Sequence, residues 1–429
     1  MRSRVIWRRS ATAIGVYTAT VIGFFTTVIA TRELGVTSYA KFAAVFGAVT
    51  FFQVLFDLTF EEALVKFGFR YTESLQWGRL RRLFQLAIGF KLAGGVLAGL
   101  AMVALAPFAK QLWSAPGAVF LPMLIAASLP VLQAPEAVAA GAIILRGRYD
   151  IRAAFLAVSM TLRLAGLGVG CRYGVTGAML GLVVAQALAT AAISVAGAVA
   201  FRRFPSSSAH PIGEDRRDLG RFLFQSTVVS SLVSGRASLA TALVPTVAPL
   251  DQTAYYRNAQ APATGFAALS GPARLVLLTE QTRDFEAGRH DRMYGMLRSY
   301  ITKTTLLMIV VVPVLWWLMP FLLGLAYGHA FRVHAATAAR LVLVAAALQF
   351  IWGWTKSFPV SIGRSGLRIL PQSVEIAVFV PLLLVFASRW GATGAAAAGL
   401  VSTVVFCALW LVLLDRLKND RGRAEALAT

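Results

Sequence analysis

Acidic residues are scarce in this sequence, and so are the residues that build metal and disulfide sites. It has 19 Asp and Glu against 41 Lys and Arg, with two cysteines and four histidines among 429 residues. Cys171 and Cys407 lie in or beside apolar segments, which excludes a disulfide framework of the secreted type. The histidines fall in predicted loops without the spacing of metal ligands. The sequence therefore predicts no metal site and no cofactor site.

Arrangements of catalytic side chains are also missing from the predicted outer loops, all of which are short. They hold no paired carboxylates and no combination of serine, histidine and aspartate. On the inner side, Glu214, Asp215 and Asp218 alternate with Arg216 and Arg217, a pattern typical of a solvated loop. We therefore predict that the protein is not an enzyme, and a membrane enzyme or an assembly scaffold remains a minor alternative.

Long apolar runs make up most of the sequence. The sequence is 58% hydrophobic and only 14% charged, whereas a soluble protein averages about 25% charged residues. Runs of about 20 apolar residues recur along it, each long enough to cross the roughly 30 Å hydrocarbon layer of a bilayer. This pattern predicts an all-α polytopic membrane protein. We place twelve transmembrane spans at 10–31, 38–60, 83–106, 117–145, 152–171, 175–201, 221–248, 253–279, 299–325, 336–357, 367–388 and 392–414.

The distribution of basic residues predicts the orientation of these spans. With the N-terminus inside, the inner segments and adjoining span ends hold 30 of the Lys and Arg residues, and the outer segments hold seven. Both termini are therefore expected in the cytoplasm. The net charge of +22 is explained by contact with anionic lipid headgroups, so nucleic acid is not an expected partner.

A repeated stretch indicates that the chain is a tandem duplication. RYGVTGA (Arg172–Ala178) recurs as RWGATGA (Arg389–Ala395), 217 positions later, and three other sets of residues recur at nearly the same offset. Six spans in each half give the halves the same orientation, so we expect two pseudo-twofold-related lobes around a central cavity. The predicted N-terminal lobe is 1–205, the cytoplasmic inter-lobe loop is 206–220, and the C-terminal lobe is 221–429.

Besides the basic residues counted with the inner and outer segments, four lie within the predicted spans, where a charge costs several kcal/mol unless it has a partner. They are Lys91, Arg163, Arg236 and Arg257. Internal salt bridges or caps would explain each of them individually, and Arg257 also suits an anchor at the membrane interface. Together they predict a cavity with net positive charge, which suits an anionic substrate held through phosphate.

Acidic residues within the spans are fewer and suggest a different role. Gln53, Asp57 and Glu61 form a stripe at i, i+4 and i+8, and Glu375 is a lone carboxylate deep in span 11. We expect Asp57 and Glu375 either to form salt bridges or to couple transport to Na⁺ or H⁺. Gln133 and Glu136 also fall within a span.

The first two spans and the entry to the sixth resemble a known family. The sequence is similar to the oligosaccharide flippases (the Wzx-type polysaccharide transporter family) of the multidrug/oligosaccharidyl-lipid/polysaccharide exporter superfamily. The residues that carry the resemblance are Arg32, Leu34, Gly35, Tyr39, Asp57, Gly174 and Ala178.

The resemblance implies a function in polysaccharide synthesis. It implies that an undecaprenyl-pyrophosphate-linked oligosaccharide is moved from the inner to the outer leaflet for O-antigen (lipopolysaccharide), capsule or exopolysaccharide. Membrane lipids would surround the protein, and a polysaccharide polymerase or assembly proteins are further expected partners. The alternative is a cation-coupled multidrug antiporter of the same superfamily. Twelve spans argue against the lipid II flippase branch, for which the resemblance implies fourteen.

Overall fold

The computed structural model describes residues 2–57, 60–113, 119–286, 289–362 and 364–428, and these are almost entirely helical. The predicted start of span 4, at residue 117, lies outside them. Short 3₁₀ turns join several of the helices. The α-helices are α1 (Arg2–Phe56), α2 (Phe60–Glu73), α3 (Trp77–Leu105), α4 (Ala109–Leu112), α5 (Phe120–Ala126), α6 (Leu129–Leu145), α7 (Tyr149–Gly170), α8 (Gly174–Arg202), α9 (Asp215–Val247), α10 (Leu250–Ala259), α11 (Ala261–Glu286), α12 (His290–Tyr327), α13 (His329–His334), α14 (Ala336–Ile351), α15 (Phe358–Ser361) and α16 (Ile369–Ala428).

Seven helical stretches in the described residues are long and apolar enough to cross a membrane. Three of them are far longer than one crossing requires: Ala13–Phe56 has 44 residues, Tyr149–Arg202 has 54 and Gly366–Arg416 has 51. One crossing needs about 20 residues, and each of the three contains two predicted spans. The prediction of an all-α, multi-pass membrane protein is confirmed.

The repeated sequence stretch forms the same backbone turn in both places. Gly174 has φ 72° and ψ −160°, and Gly391, 217 positions later, has φ 55° and ψ −132°. A positive φ is easily adopted only by glycine, which explains why this residue recurs. Gly35 makes a similar break within α1, with φ 69° and ψ 175°. These turns separate the paired spans that the sequence predicts.

Contacts among the described residues divide the chain into two compact units, unit 1 (residues 1–254) and unit 2 (residues 255–429). Unit 1 includes α9, which packs along α1. Ser231 donates a hydrogen bond to the carbonyl of Val54 at 3.3 Å, and Gly47 packs closely on Thr241. Ser231 and Thr241 of α9 thus face α1. The sequence repeat instead assigns α9 to the C-terminal lobe. The lobe boundary at residues 206–220 remains a prediction about where the two duplicated halves of the chain meet.

Small residues let α3 and α6 approach closely in unit 1. A Cβ atom on Gly95 would lie 2.8 Å from the carbonyl oxygen of Pro130, and one on Gly99 would lie 2.7 Å from that of Ala127. Two glycines four residues apart lie on the same face of a helix. Small residues at this spacing commonly allow close contact between helices in membranes. This contact fixes α3, which carries Lys91, beside α6, which carries Gln133 and Glu136.

The segment that joins α8 to α9 is anchored to α2 and α3. Arg81 donates to the carbonyl of Ser207 at 2.9 Å, and the backbone N–H of His210 donates to that of Gly78 at 3.1 Å. Asp215 then accepts hydrogen bonds from Arg70 at 3.0 Å and from the Tyr71 hydroxyl at 3.1 Å. Burial, followed by the bond to Asp215, raises the pKa of Tyr71 to about 12.

Unit 2 has its own aromatic core. The rings of Trp354 and Trp410 meet edge to face with centroids 5.5 Å apart, and Phe358 packs against Trp354 at 5.9 Å. The Tyr300 hydroxyl donates to the carbonyl of Phe350 at 3.0 Å. The outer face of α12 is instead exposed and apolar, as expected of a surface in contact with lipid.

Candidate functional site

A cavity of about 540 Å³ lies inside unit 1. Its walls come from α1, α2, α3, α6, α7 and α8, with Ser238 of α9 at one side. The apolar lining residues are mainly small, Gly, Ala and Pro, and the larger ones are Val54, Phe155, Leu156 and Ile193. The polar lining residues are Thr50, Gln53, Asp57, Glu61, Lys91, Gln133, Glu136, Arg152 and Ser238.

Two ion pairs cross this cavity between different helices. Lys91 of α3 pairs with Asp57, which lies just beyond the end of α1. Arg152 of α7 pairs with Glu61 of α2. The side chain of Lys91 is 10% exposed, whereas those of Asp57, Glu61 and Arg152 are between 33% and 49% exposed. Water in the cavity therefore reaches both carboxylates.

The lining does not carry an excess of positive charge. Lys91 and Arg152 face three carboxylates, those of Asp57, Glu61 and Glu136. Adding Arg163, whose charge lies close to Glu136, makes the set neutral. The sequence predicts a central cavity with net positive charge. The walls of the cavity in unit 1 do not have it, because Asp57, Glu61 and Glu136 offset the basic residues.

A second set of polar groups continues from the cavity wall into the helix core. Gln53 donates to Gln133 at 2.7 Å, and Gln133 donates to Gln186 at 2.9 Å. Gln186, which is fully buried, donates in turn to Glu136 and, at 2.9 Å, to Thr190. We call Gln53, Gln133, Gln186, Glu136, Thr190 and Arg163 the glutamine network.

The orientation of the Gln186 amide follows from the charges on either side of it. Its oxygen accepts from Gln133 and from the guanidinium of Arg163, and its nitrogen donates to Glu136 and Thr190. All four hydrogen-bonding positions of the amide are thereby used. The amide dipole points its negative end at the cation and its positive end at the carboxylate, so it links the two charges without their direct contact.

The structure thus assigns different surroundings to the predicted cations of unit 1. Lys91 lies in the cavity wall, and Arg163 is held in the glutamine network. Arg236 lies in α9, half-buried, where the helix axis turns by 44° between Arg236 and Ser238. Of the two predicted acids, Asp57 is the partner of Lys91.

The remaining two candidates lie in unit 2. Arg257 is half-buried in α10, between the buried side chains of Tyr256 and Asn258. Glu375 in α16 is 3% exposed and accepts a hydrogen bond from Gln372 at 2.7 Å. The predicted site residues therefore fall into separate groups in the two units, and their roles in substrate binding or ion coupling stay predictions.

Sequence reasoning missed three participants. Arg152 stands at the inner end of span 5, among the cations counted with the inner segments, yet it reaches the cavity. Gln186 and Thr190 carry no charge and stand among the apolar residues of α8, so no charge pattern marks them. The available signal was their i, i+4 spacing, which puts both side chains on one helix face. Among the residues that the structure describes, no cluster of His, Cys, Asp and Glu could hold a metal ion.

This fold occurs among solved structures of membrane transporters. A multidrug resistance MATE family transporter of the MOP superfamily, in an inward-facing conformation, has 12% identity and a TM-score of 0.73, covering 94% of this chain and 95% of its own. The lipid II flippase MurJ, inward closed, has 14% identity and a TM-score of 0.72, covering 94% and 87%. A MOP superfamily transporter from Pyrococcus furiosus has 13% identity and a TM-score of 0.62, covering 97% and 96%.

The sequence comparison identifies the family. Residues 7–269 match the family described as polysaccharide biosynthesis protein, and the chain belongs to that family. A search of curated protein sequences found no significant match. Together with the MOP superfamily fold, the family membership confirms the resemblance to polysaccharide exporters.

Proposed function

We propose that the protein is a flippase for an undecaprenyl-pyrophosphate-linked oligosaccharide, which it moves from the inner to the outer leaflet by alternating access. The product would serve O-antigen, capsule or exopolysaccharide synthesis. Family membership in polysaccharide biosynthesis supports this function, and so does the shared fold with a lipid II flippase. Transport, rather than catalysis by the chain itself, is the activity that these relations favour.

The observation that carries the proposal is a polar cavity within the region that matches the family. The cavity in unit 1 lies within residues 50–238, inside the matched residues 7–269. Its hydroxyl and amide groups suit the hydroxyls of a sugar, and its cations suit phosphate. A lipid-linked oligosaccharide combines both chemistries, while its apolar tail remains in the bilayer.

The four intramembrane cations have a defined part in this proposal. Lys91, Arg163, Arg236 and Arg257 would bind the pyrophosphate or balance its charge as it crosses the membrane. Residues with permanent or readily held positive charge lower the cost of carrying phosphate through a medium of low dielectric constant. The proposal places the protein in the bacterial inner membrane with both termini in the cytoplasm, as the distribution of Lys and Arg predicts.

Complementation tests this function. A strain that lacks its own polysaccharide flippase is given the wild-type gene, Lys91→Ala or Arg163→Ala, and surface polysaccharide is measured at matched protein levels. Wild type should restore the polysaccharide and both variants should fail to do so. Arg82→Ala is the matched control, because Arg82 is an exposed cation on α3 whose guanidinium donates to Gln85 at 3.4 Å, away from the cavity. Full function in both variants would contradict the role of these cations.

A cation-coupled multidrug antiporter is the second candidate. It is favoured by the buried carboxylate of Glu375, which is 3% exposed on a membrane helix, and by the fold shared with MATE family transporters. Drug resistance that rises on overexpression and disappears in Glu375→Gln would support it. Coupling to Na⁺ or H⁺ through Asp57 or Glu375 is a proposal compatible with either function.

A further inference from the structure

Both cations that line the cavity are already neutralised by carboxylates from neighbouring helices. Lys91 is held by Asp57, and Arg152 is held by Glu61. An anionic headgroup that enters this cavity therefore meets no free cation among the residues described in its lining. It can bind to Lys91 and Arg152 only if the carboxylates give way, so the ion pairs decide how phosphate is recognised.

The carboxylates are held weakly enough to be displaced. The side chains of Asp57 and Glu61 are 49% and 35% exposed, and ion pairs in contact with water contribute little to stability. Lys91, by contrast, is 10% exposed and stays in the wall when its partner moves. Each carboxylate released into the cavity can be hydrated there.

A diphosphate is the ligand that matches this arrangement. It carries at least one negative charge on each phosphate, so it can replace two carboxylates, and Arg152 can bind one phosphate through two parallel N–H donors. Two cations from different helices, each now bound to one carboxylate, provide one cation for each phosphate. A single phosphate would satisfy only one of them and leave the other with its carboxylate.

We propose that Asp57 and Glu61 occupy the places of the two phosphates until a headgroup binds, and that a lipid diphosphate binds by displacing them from Lys91 and Arg152. This proposal rests on the flippase function above. It adds Arg152 as a binding residue and gives the two carboxylates the role of internal competitors. Release of the headgroup is then assisted, because the carboxylates return to the cations.

Measurement of lipid binding tests this competition. The full-length protein in nanodiscs of phosphatidylcholine is titrated with undecaprenyl diphosphate, undecaprenyl monophosphate or phosphatidylglycerol, and bound lipid is counted by native mass spectrometry. Asp57→Asn and Glu61→Gln should each tighten diphosphate binding about two- to fivefold, because each removes one competitor. Lys91→Ala and Arg152→Ala should weaken it about tenfold. Glu62→Gln is the control, since Glu62 is exposed and accepts from Ser226 instead.

The outcomes separate this inference from the flippase function. Weaker or unchanged diphosphate binding in Asp57→Asn and Glu61→Gln, with a wild type that binds, overturns the competition alone. An equal gain for all three lipids means a general site for anionic lipid and overturns the match to a diphosphate. If the wild type binds no lipid diphosphate, the flippase function fails as well. The carboxylates have different partners, so either variant is sufficient if the other does not fold.

Discussion

The ion pairs of the cavity and the glutamine network lie side by side in unit 1, yet they differ in burial. Asp57 and Glu61 are partly exposed and each has one cationic partner. Gln186 is fully buried and uses every hydrogen-bonding position of its amide. In water, polar groups can exchange partners at little cost, whereas in the helix core a lost partner leaves an unpaired group. The first region is therefore suited to binding and the second to fixing the helices.

Gln186→Leu gives the largest expected effect on stability. Leucine has a similar volume but leaves Arg163 and Glu136 without the amide between them, at a position that is fully buried. We expect a loss of about 3 kcal/mol in the free energy of unfolding, measured by thermal or denaturant unfolding in detergent. Gln85→Leu is the matched control on an exposed part of α3, and its effect should be below about 0.5 kcal/mol. Similar losses in the two variants would contradict the difference between the regions.

Arg163→Met should come next, because it leaves the carboxylate of Glu136 with hydrogen bonds but without a nearby cation. Adding Glu136→Gln removes that charge and should restore part of the stability. We expect a coupling energy of about 1–2 kcal/mol from the double-mutant cycle in unfolding experiments. Additive effects would mean that the two charges do not interact through Gln186.

Lys91→Ala should separate stability from function. Its ion pair with Asp57 borders the cavity, so the free energy of unfolding should change by about 1 kcal/mol or less. Surface polysaccharide in the complementation assay should nevertheless fall strongly. A large loss of stability together with normal polysaccharide would reverse the comparison and make Lys91 a structural residue.

Tyr71 offers a test by pH. Its pKa in the folded protein is raised from 10.0 to about 12, so the folded state keeps the proton that the unfolded state loses above pH 10. This contribution to stability is complete below pH 10 and is lost as the pH rises towards 12. Unfolding measured between pH 9 and 12 should show a shallower decline in Tyr71→Phe than in wild type. Equal slopes would show that the hydroxyl has no such effect.

The spans and their turns could be predicted from the sequence because both follow from local chemistry. Apolar runs of membrane length determine the helices, and a positive φ at Gly174 and Gly391 requires glycine wherever the repeat places it. The stripe of Gln53, Asp57 and Glu61 was also predictable, since i, i+4 spacing needs no tertiary information. All three residues line the cavity.

The partners within the site could not be predicted, because they are set by contacts between distant helices. Lys91 is costly in a membrane span by itself, but only the packing of α3 shows that Asp57 neutralises it. Gln186 carries no charge, so its importance appears only when Arg163 and Glu136 are seen on either side of it. Arg152 stands at a helix start, where sequence cannot distinguish a loop cation from one that points into a cavity.

Transport of a lipid-linked oligosaccharide in a purified system tests the central proposal most directly. The protein is reconstituted in liposomes with an undecaprenyl-pyrophosphate-linked oligosaccharide in the inner leaflet, and lectin added outside detects the sugar that arrives. Wild type should expose the oligosaccharide well above protein-free liposomes, and Lys91→Ala should lower the rate about tenfold or more while Arg82→Ala does not. Exposure at the protein-free rate with well-folded wild-type protein would contradict the flippase function.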